Sequence, residues 1–295
     1  MRTPPPSDAP DDLAALAKRE HAHKYSYGHV LVLAGPPGHG GAARLAARGA
    51  LRIGAGLVTL ACPPAALTEN AAQLTAVMTR PFDSAREMRK ILTDQRISTI
   101  CLGPGLGLGE ATRDLVSVAL GSGKPCVLDA DALGAFARHA PRFFDMLHGD
   151  CVLTPHAGEF SRLFPDLGLD EAKDEAAEND ARACAVRKAA ARAGSTVLLK
   201  GATTLIATEA GQIERLSATG ANAAPWLATA GSGDVLAGFI AGLLARGFAP
   251  LRAAHTGAWL HAQAARSFGP GLIAEDLPDE LPRVFRALGI QGADP

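Results

Sequence analysis

Aromatic residues are scarce in this sequence, making up 5% of its 295 positions. CxxC pairs are absent. The five cysteines stand at 62, 101, 126, 151 and 184, an odd number without the spacing of a zinc knuckle or a disulfide framework. Cys101, Cys126 and Cys151 lie in or beside apolar runs, and the set is expected to be buried, reduced thiols of a cytoplasmic protein. No run of lysine or arginine exceeds two residues, and the formal net charge is −1. That excludes a basic nucleic-acid surface and a polybasic membrane patch. The longest apolar stretch, Val235 to Leu244, is about half the length that spans a bilayer. Met1 to Asp12 is proline-rich and acidic, with no basic segment leading into an apolar one, so it does not read as a secretory signal.

What is present is an ordinary globular balance, 47% hydrophobic and 20% charged, with 32 glycines. Short apolar, β-branched runs alternate with helix-like runs. Strands are expected at His29–Ala34, Leu57–Ala61, Ser98–Leu102, Pro125–Asp129 and Cys151–Thr154, with a strand pair at Thr196–Lys200 and Thr204–Thr208. Helices are expected at Ala42–Ile53, Ala132–Ala137, Asp170–Ala193, Asp234–Arg246 and Leu251–Ser267. This alternation implies βαβ units and a mainly parallel sheet. No composition break and no 20- to 50-residue repeat appears, so the reading is a flexible tail over 1–22 and one α/β domain over 23–289. Unusual motifs stand at the ends of predicted strands: Gly35–Gly41, Gly103–Gly107, Asp129–Asp131, Thr154–Glu159 and Lys200–Gly201. Parallel strands put such ends on one edge, which predicts a composite ligand site there.

The strongest motif is Ala228-Thr-Ala-Gly231-Ser232-Gly233-Asp234-Val-Leu-Ala-Gly238, small residues running straight into an apolar helix. A helix N-terminus leaves about four backbone N–H groups unpaired and carries roughly half a positive charge. Gly231, Ser232 and Gly233 let those amides close around an anion, and Asp234 beside them can take a proton from a substrate hydroxyl. The competing reading is structural, with Ser232 or Asp234 capping the helix.

The other motifs are weaker singly. Gly35–Gly41 lacks the Lys-Ser/Thr pair of a P-loop. Gly103-Pro-Gly105-Leu-Gly107 mimics half of a dinucleotide fingerprint but lacks the acidic partner. His156 and Glu159 have a zinc-like spacing without further ligands to complete a set, and Glu159 also suits the start of a helix. Asp129 and Asp131 can cap the next helix or meet magnesium or substrate.

Taken in order, these motifs resemble the ADP-dependent NAD(P)H-hydrate dehydratases of the ribokinase-like superfamily, over about residues 23–270. That resemblance implies a three-layer α/β/α fold. It implies Asp234 as catalytic base, with Gly231, Ser232 and Gly233 holding the transferred phosphoryl group. It implies contacts from Ala42, Gly105 and His156 to the hydrated nicotinamide substrate, and a nucleotide site at Lys200, Gly201, Ala202, Thr203, Thr204 and Gly233. Glu159 would organise Mg²⁺ through water. ADP is the implied co-substrate, NADHX or NADPHX the substrate, and a homotetramer the assembly. Some members of that family are fused to an N-terminal epimerase domain, and the short tail here leads to the expectation of no epimerase activity. One stretch departs from the family pattern: Ala223-Ala224-Pro225-Trp226-Leu227 has alanine and tryptophan where asparagine and glycine are usual, which suggests Trp226 as a pocket wall. A vitamin-precursor alcohol kinase and a non-catalytic nucleotide sensor are the alternative readings.

Overall fold

The computed structural model describes residues 9–11, 13–169 and 175–290. Along the chain run β1 (His29–Leu33), α1 (Gly41–Arg52), β2 (Leu57–Cys62), α2 (Leu67–Gln73), β3 (Met78–Pro81), α3 (Ala85–Leu92), β4 (Thr99–Leu102) and α4 (Glu110–Leu120). Next come β5 (Cys126–Leu128), α5 (Asp131–Gly134), α6 (Ala140–Phe144), β6 (Cys151–Leu153), α7 (Ala157–Leu163), α8 (Glu175–Ala193) and β7 (Thr196–Leu199). The chain ends with β8 (Thr203–Ala207), β9 (Ile213–Ser217), α9 (Ser232–Ala245), α10 (Pro250–Phe268) and α11 (Asp276–Ala287). The start of the predicted Asp170–Ala193 helix lies outside the described residues.

Among the described residues the nine strands form one sheet in the order β3-β2-β1-β4-β5-β6-β7-β8-β9. The ladders from β3 to β7 are parallel, and β8 and β9 add on as antiparallel neighbours. Side chains alternate across the sheet, so Val30 and Val32 enter one core while Leu31 and Leu33 enter the other. The first core is closed by α1, α9, α10 and α11, the second by α3, α4, α7 and α8. With both faces covered, the central strands must be apolar throughout. That is why they were legible as uninterrupted runs and why the expected three-layer α/β/α fold is the one observed.

Helix α9 is the apolar run Val235–Leu244, and every residue from Val235 to Ala245 is buried. It lies against β1, β4 and β5 on one side and α1 and α10 on the other. The approach to α1 is close: a Cβ on Gly238 would stand 2.1 Å from the Ala46 carbonyl oxygen. Helix propensity favours alanine over glycine by about 1 kcal/mol, but displacing a packed backbone costs about 1–3 kcal/mol or more. Gly238→Ala is therefore expected to lower the urea midpoint. A midpoint equal to or above that of the parent would contradict the close crossing.

Two expectations need correction. Leu16, in the predicted tail, is 3% exposed and belongs to the first core. The Arg246 guanidinium donates to the carbonyls of Leu16 at 2.8 Å and Ala15 at 2.9 Å, and to that of Ile53 at 2.9 Å. A single cation thus pins this segment to the body. Cys62, Cys101, Cys126 and Cys151 are buried as free thiols, whereas Cys184 is exposed, on a helix whose outer face meets water.

Candidate active site

Five adjacent parallel strands, β1, β4, β5, β6 and β7, deliver the five glycine- or acid-bearing loops to one edge of the sheet. β2 and β3 continue away from β1 while β5 to β7 continue away from β4, so the β1/β4 boundary is where the winding reverses and a crevice opens. The two loops there interlock. A Cβ on Gly35 would fall 1.8 Å from the Gly105 carbonyl oxygen, so no side chain fits between them. The Gly38 amide donates to the Glu69 carboxylate at 3.0 Å. Ala42, half-buried, is the second residue of α1 at the inner end of the same loop.

At the head of α9, Gly231 is the N-cap, in the left-handed region at φ +87°, and no side chain caps the helix. The capping alternative for Ser232 and Asp234 therefore does not hold. The Ser232 hydroxyl instead donates to the Leu227 carbonyl at 2.7 Å. The Ser232 amide makes a long bond to the Thr229 carbonyl at 3.4 Å, and the first ladder bond runs from the Val235 amide to the Gly231 carbonyl at 3.2 Å, with the amides of Gly233 and Asp234 between them. A Cβ at Gly231 would meet Leu45 Cδ1 at 2.6 Å and Ala274 at 3.0 Å. Conformation and space together require glycine here.

The charged groups around this terminus are unequal in burial. Asp129 is 1% exposed, and its Oδ1 accepts from Lys200 Nζ at 2.7 Å. Asp131 Oδ2 accepts from the Gly107 amide at 2.8 Å. Between them Ala130 has φ +47°, the only non-glycine residue with positive φ among those described. This local strain turns two carboxylates of one turn in different directions. Asp234 titrates high, at about 6, chiefly because it is partly buried and secondarily because of Asp129, with Asp131 and Glu159 adding to the rise and Lys200 opposing it. At neutral pH the carboxylate is ionised yet close to its titration, which suits a general base.

His156 and Glu159 form a reciprocal capping box at the start of α7. His156 Nδ1 accepts from the Gly158 amide at 2.9 Å, and Glu159 Oε2 accepts from the His156 amide at 2.9 Å. Both residues thus have a structural role whatever else they touch. An isolated bridge sets His156 beside Lys200. Among the described residues no three His, Cys, Asp or Glu side chains stand together as a metal ligand set. The surplus of carboxylates around one lysine nonetheless fits a magnesium ion held through phosphate oxygens and water, the usual habit of that ion.

A cavity of about 500 Å³ opens beside the α9 terminus, within the range of nucleotide-sized sites. Its wall includes Lys200, Gly201, Ala202, Thr204, Gly233 and His261. A Cβ on Gly233 would lie 3.4 Å from Lys200 Nζ, so cation and amides share one corner. Thr203 pairs with Ser217 on β9 and is not on this wall. Nor is Trp226, which is 45% exposed; Ala224, Pro225, Leu227 and Ala228 supply that side instead. His261 went unrecognised in the sequence. It reaches the site from α10, and its Nε2–H donates to the Ser232 carbonyl at 2.9 Å.

With this geometry in hand, the chain can be set beside known proteins. Residues 30–283 match the family model described as NAD(P)H-hydrate dehydratase. The bifunctional NAD(P)H-hydrate repair enzyme Nnr of Moorella thermoacetica is 42% identical over 92% of this chain and 52% of its own. The ADP-dependent (S)-NAD(P)H-hydrate dehydratase of Neisseria meningitidis is 37% identical over 84% of this chain and 80% of its own. The chain thus spans about half the length of the bifunctional relatives. Among solved structures, the ADP/ATP-dependent NAD(P)H-hydrate dehydratase of Bacillus subtilis, co-crystallised with ATP and Mg²⁺, superimposes with a TM-score of 0.74. It is 30% identical, over 93% of this chain and 95% of that one.

Proposed function

We propose, from the premise that this chain belongs to the NAD(P)H-hydrate dehydratase family, that it dehydrates (6S)-NADHX or (6S)-NADPHX to the reduced dinucleotide, converting ADP to AMP and phosphate. The observation that carries this reading is an ionised, partly buried Asp234 in the same uncapped first turn as Ser232 and Gly233, which line a cavity large enough for a nucleotide. Asp234 accepts the proton of the ring hydroxyl. The freed oxygen attacks the terminal phosphorus of ADP, and AMP departs. The ester's C–O bond then breaks to release phosphate while the adjacent ring carbon gives up a proton to solvent, which restores the dihydronicotinamide. The amides of Gly231, Ser232 and Gly233 stabilise charge on the moving phosphoryl group, where fixed dipoles act without reorganisation. Lys200 holds the phosphate chain from the β7 end, next to Gly201, Ala202 and Thr204, while Ala42, Gly105 and His156 face the hydrate. Magnesium, when bound, neutralises phosphate charge, with Glu159 as its water-mediated partner. The protein is read as a cytoplasmic homotetramer, an assembly that light scattering measures directly.

The test is the absorbance of the dihydronicotinamide band, followed with hydrated NADH, ADP or ATP, and magnesium present or withheld. Restored absorbance with stoichiometric AMP supports the reading; a persisting phosphorylated product indicates a kinase, and nucleotide binding without turnover a sensor. The pH profile carries its own sign. The active form is ionised Asp234, so kcat/KM is expected to fall as the pH drops through about 6. A flat profile from pH 5 to 8 would remove Asp234 as the base.

A further inference from the structure

The role assigned below to His261 rests on the nucleotide function proposed for the cavity just described. His261 is 6% exposed and lies on the wall shared by that cavity and a smaller chamber of about 60 Å³. Nε2 stands 2.9 Å from the Ser232 carbonyl oxygen. A carbonyl only accepts, so Nε2 carries the hydrogen. Burial, together with the charge of Lys200, lowers the ring's pKa to about 4, so it is neutral at working pH. A neutral imidazole with hydrogen on Nε2 has a bare lone pair on Nδ1. The tautomer is therefore dictated from the anion-hole side, and the remaining ring nitrogen is an acceptor and nothing else.

We infer that His261 is a specificity-determining residue: its Nδ1 accepts a hydrogen bond from the nucleoside half of the co-substrate, while its Nε2–H steadies the first turn of α9. The site thereby selects nucleosides that carry a donor at that place, either a ribose hydroxyl or the exocyclic amine of adenine. Phosphate recognition and nucleoside recognition are joined through one ring.

Two substitutions separate the two nitrogens. Glutamine can place an amide donor where Nε2 stands but leaves the Nδ1 position empty; asparagine does the reverse. Binding is read by titration calorimetry with ADP in the absence of hydrate, so the outcome does not depend on turnover. His261→Gln is expected to weaken ADP about tenfold, the scale of one lost buried hydrogen bond. His261→Asn is expected to keep ADP affinity within a few-fold and to lose kcat instead. For the parent protein, 2′-deoxy-ADP, 3′-deoxy-ADP and purine riboside diphosphate each delete one donor. The analogue that binds about tenfold more weakly than ADP to the parent, yet equals ADP in the glutamine variant, identifies the group read. Equal ADP affinity in parent and glutamine variant, or the same analogue preferences in both, overturns the inference. Failure of the dehydratase reading is distinct from this, since it shows as a parent protein that binds ADP but restores no dihydronicotinamide absorbance.

Discussion

Asp234→Asn is expected to lower turnover by about 10²–10⁴, the usual contribution of a positioned general base, while leaving ADP affinity within about threefold, because the backbone amides of the anion site are untouched. The same substitution should make the protein more stable. The rise of the Asp234 pKa from an ordinary 3.8 to about 6 means that folding disfavours the ionised form. At about 1.4 kcal/mol for each tenfold, this amounts to about 3 kcal/mol, which solvent on the open side of the site trims to about 1–2 kcal/mol. A raised carboxyl pKa contributes stability that is complete below the unfolded value and lost as the pH climbs through the folded one. The variant's advantage should therefore be full at pH 7 to 8 and vanish as the pH approaches 4. Thermal melts across that range, paired with turnover at pH 7.5, check both halves. Near-full activity in Asp234→Asn and Asp234→Ala alike would remove this residue from the chemistry. Equal melting temperatures at pH 8 would show that the carboxylate is not held against its preference.

Lys200→Met is expected to be the most damaging single change at the site. It strips the cation 2.7 Å from a carboxylate that is 2% exposed. Removing one member of a buried pair costs about 3–5 kcal/mol, and the low end applies because the lysine side chain is 22% exposed. Catalysis suffers separately. Lys200 is the group that opposes the upward shift of Asp234, so its loss should move the acid limb of the pH profile to higher pH. Adding Asp129→Asn to Lys200→Met removes the stranded charge and should recover most of the lost stability without recovering ADP affinity. If the double variant binds ADP like the parent, Lys200 serves the fold and not the nucleotide.

Much of this arrangement could be read in the residues. The central strands are covered on both faces, so they appear as plain apolar runs, and the glycine-rich loops stand out because they interrupt those runs. The edge strands were not legible. Met78–Pro81 ends in proline and is largely exposed, and Ile213–Ser217 buries only Leu216; neither has a pattern that water does not also permit. His261 was missed for another reason. Its partner is a backbone carbonyl 29 residues earlier, and no spacing rule encodes a contact made by two helices crossing. Glu159 shows the opposite difficulty: its capping box is a local bond pattern readable three residues apart, and that pattern is silent about what else the carboxylate meets. The departure from the family pattern suggests Trp226 as a pocket wall, but the 3-10 turn at Pro225–Leu227 leaves it 45% exposed.

The order of the strands also works as a ruler. Four inter-strand steps separate β1 from β7, and at about 4.8 Å each the loops are spread over about 19 Å. On the proposed reading, the hydrate is held from the β1 and β4 loops, with His156 reaching it from the loop after β6, and the adenylate from the β7 end. The two partners then lie end to end along the sheet margin, and their reactive ends come together near its midpoint. α9, packed against β4 and β5, begins there. One more strand between these anchors would move the anchoring loops about 5 Å further apart, more than the length of the bond that has to form, so the distance between the reactants is set by the number of strands as much as by any side chain.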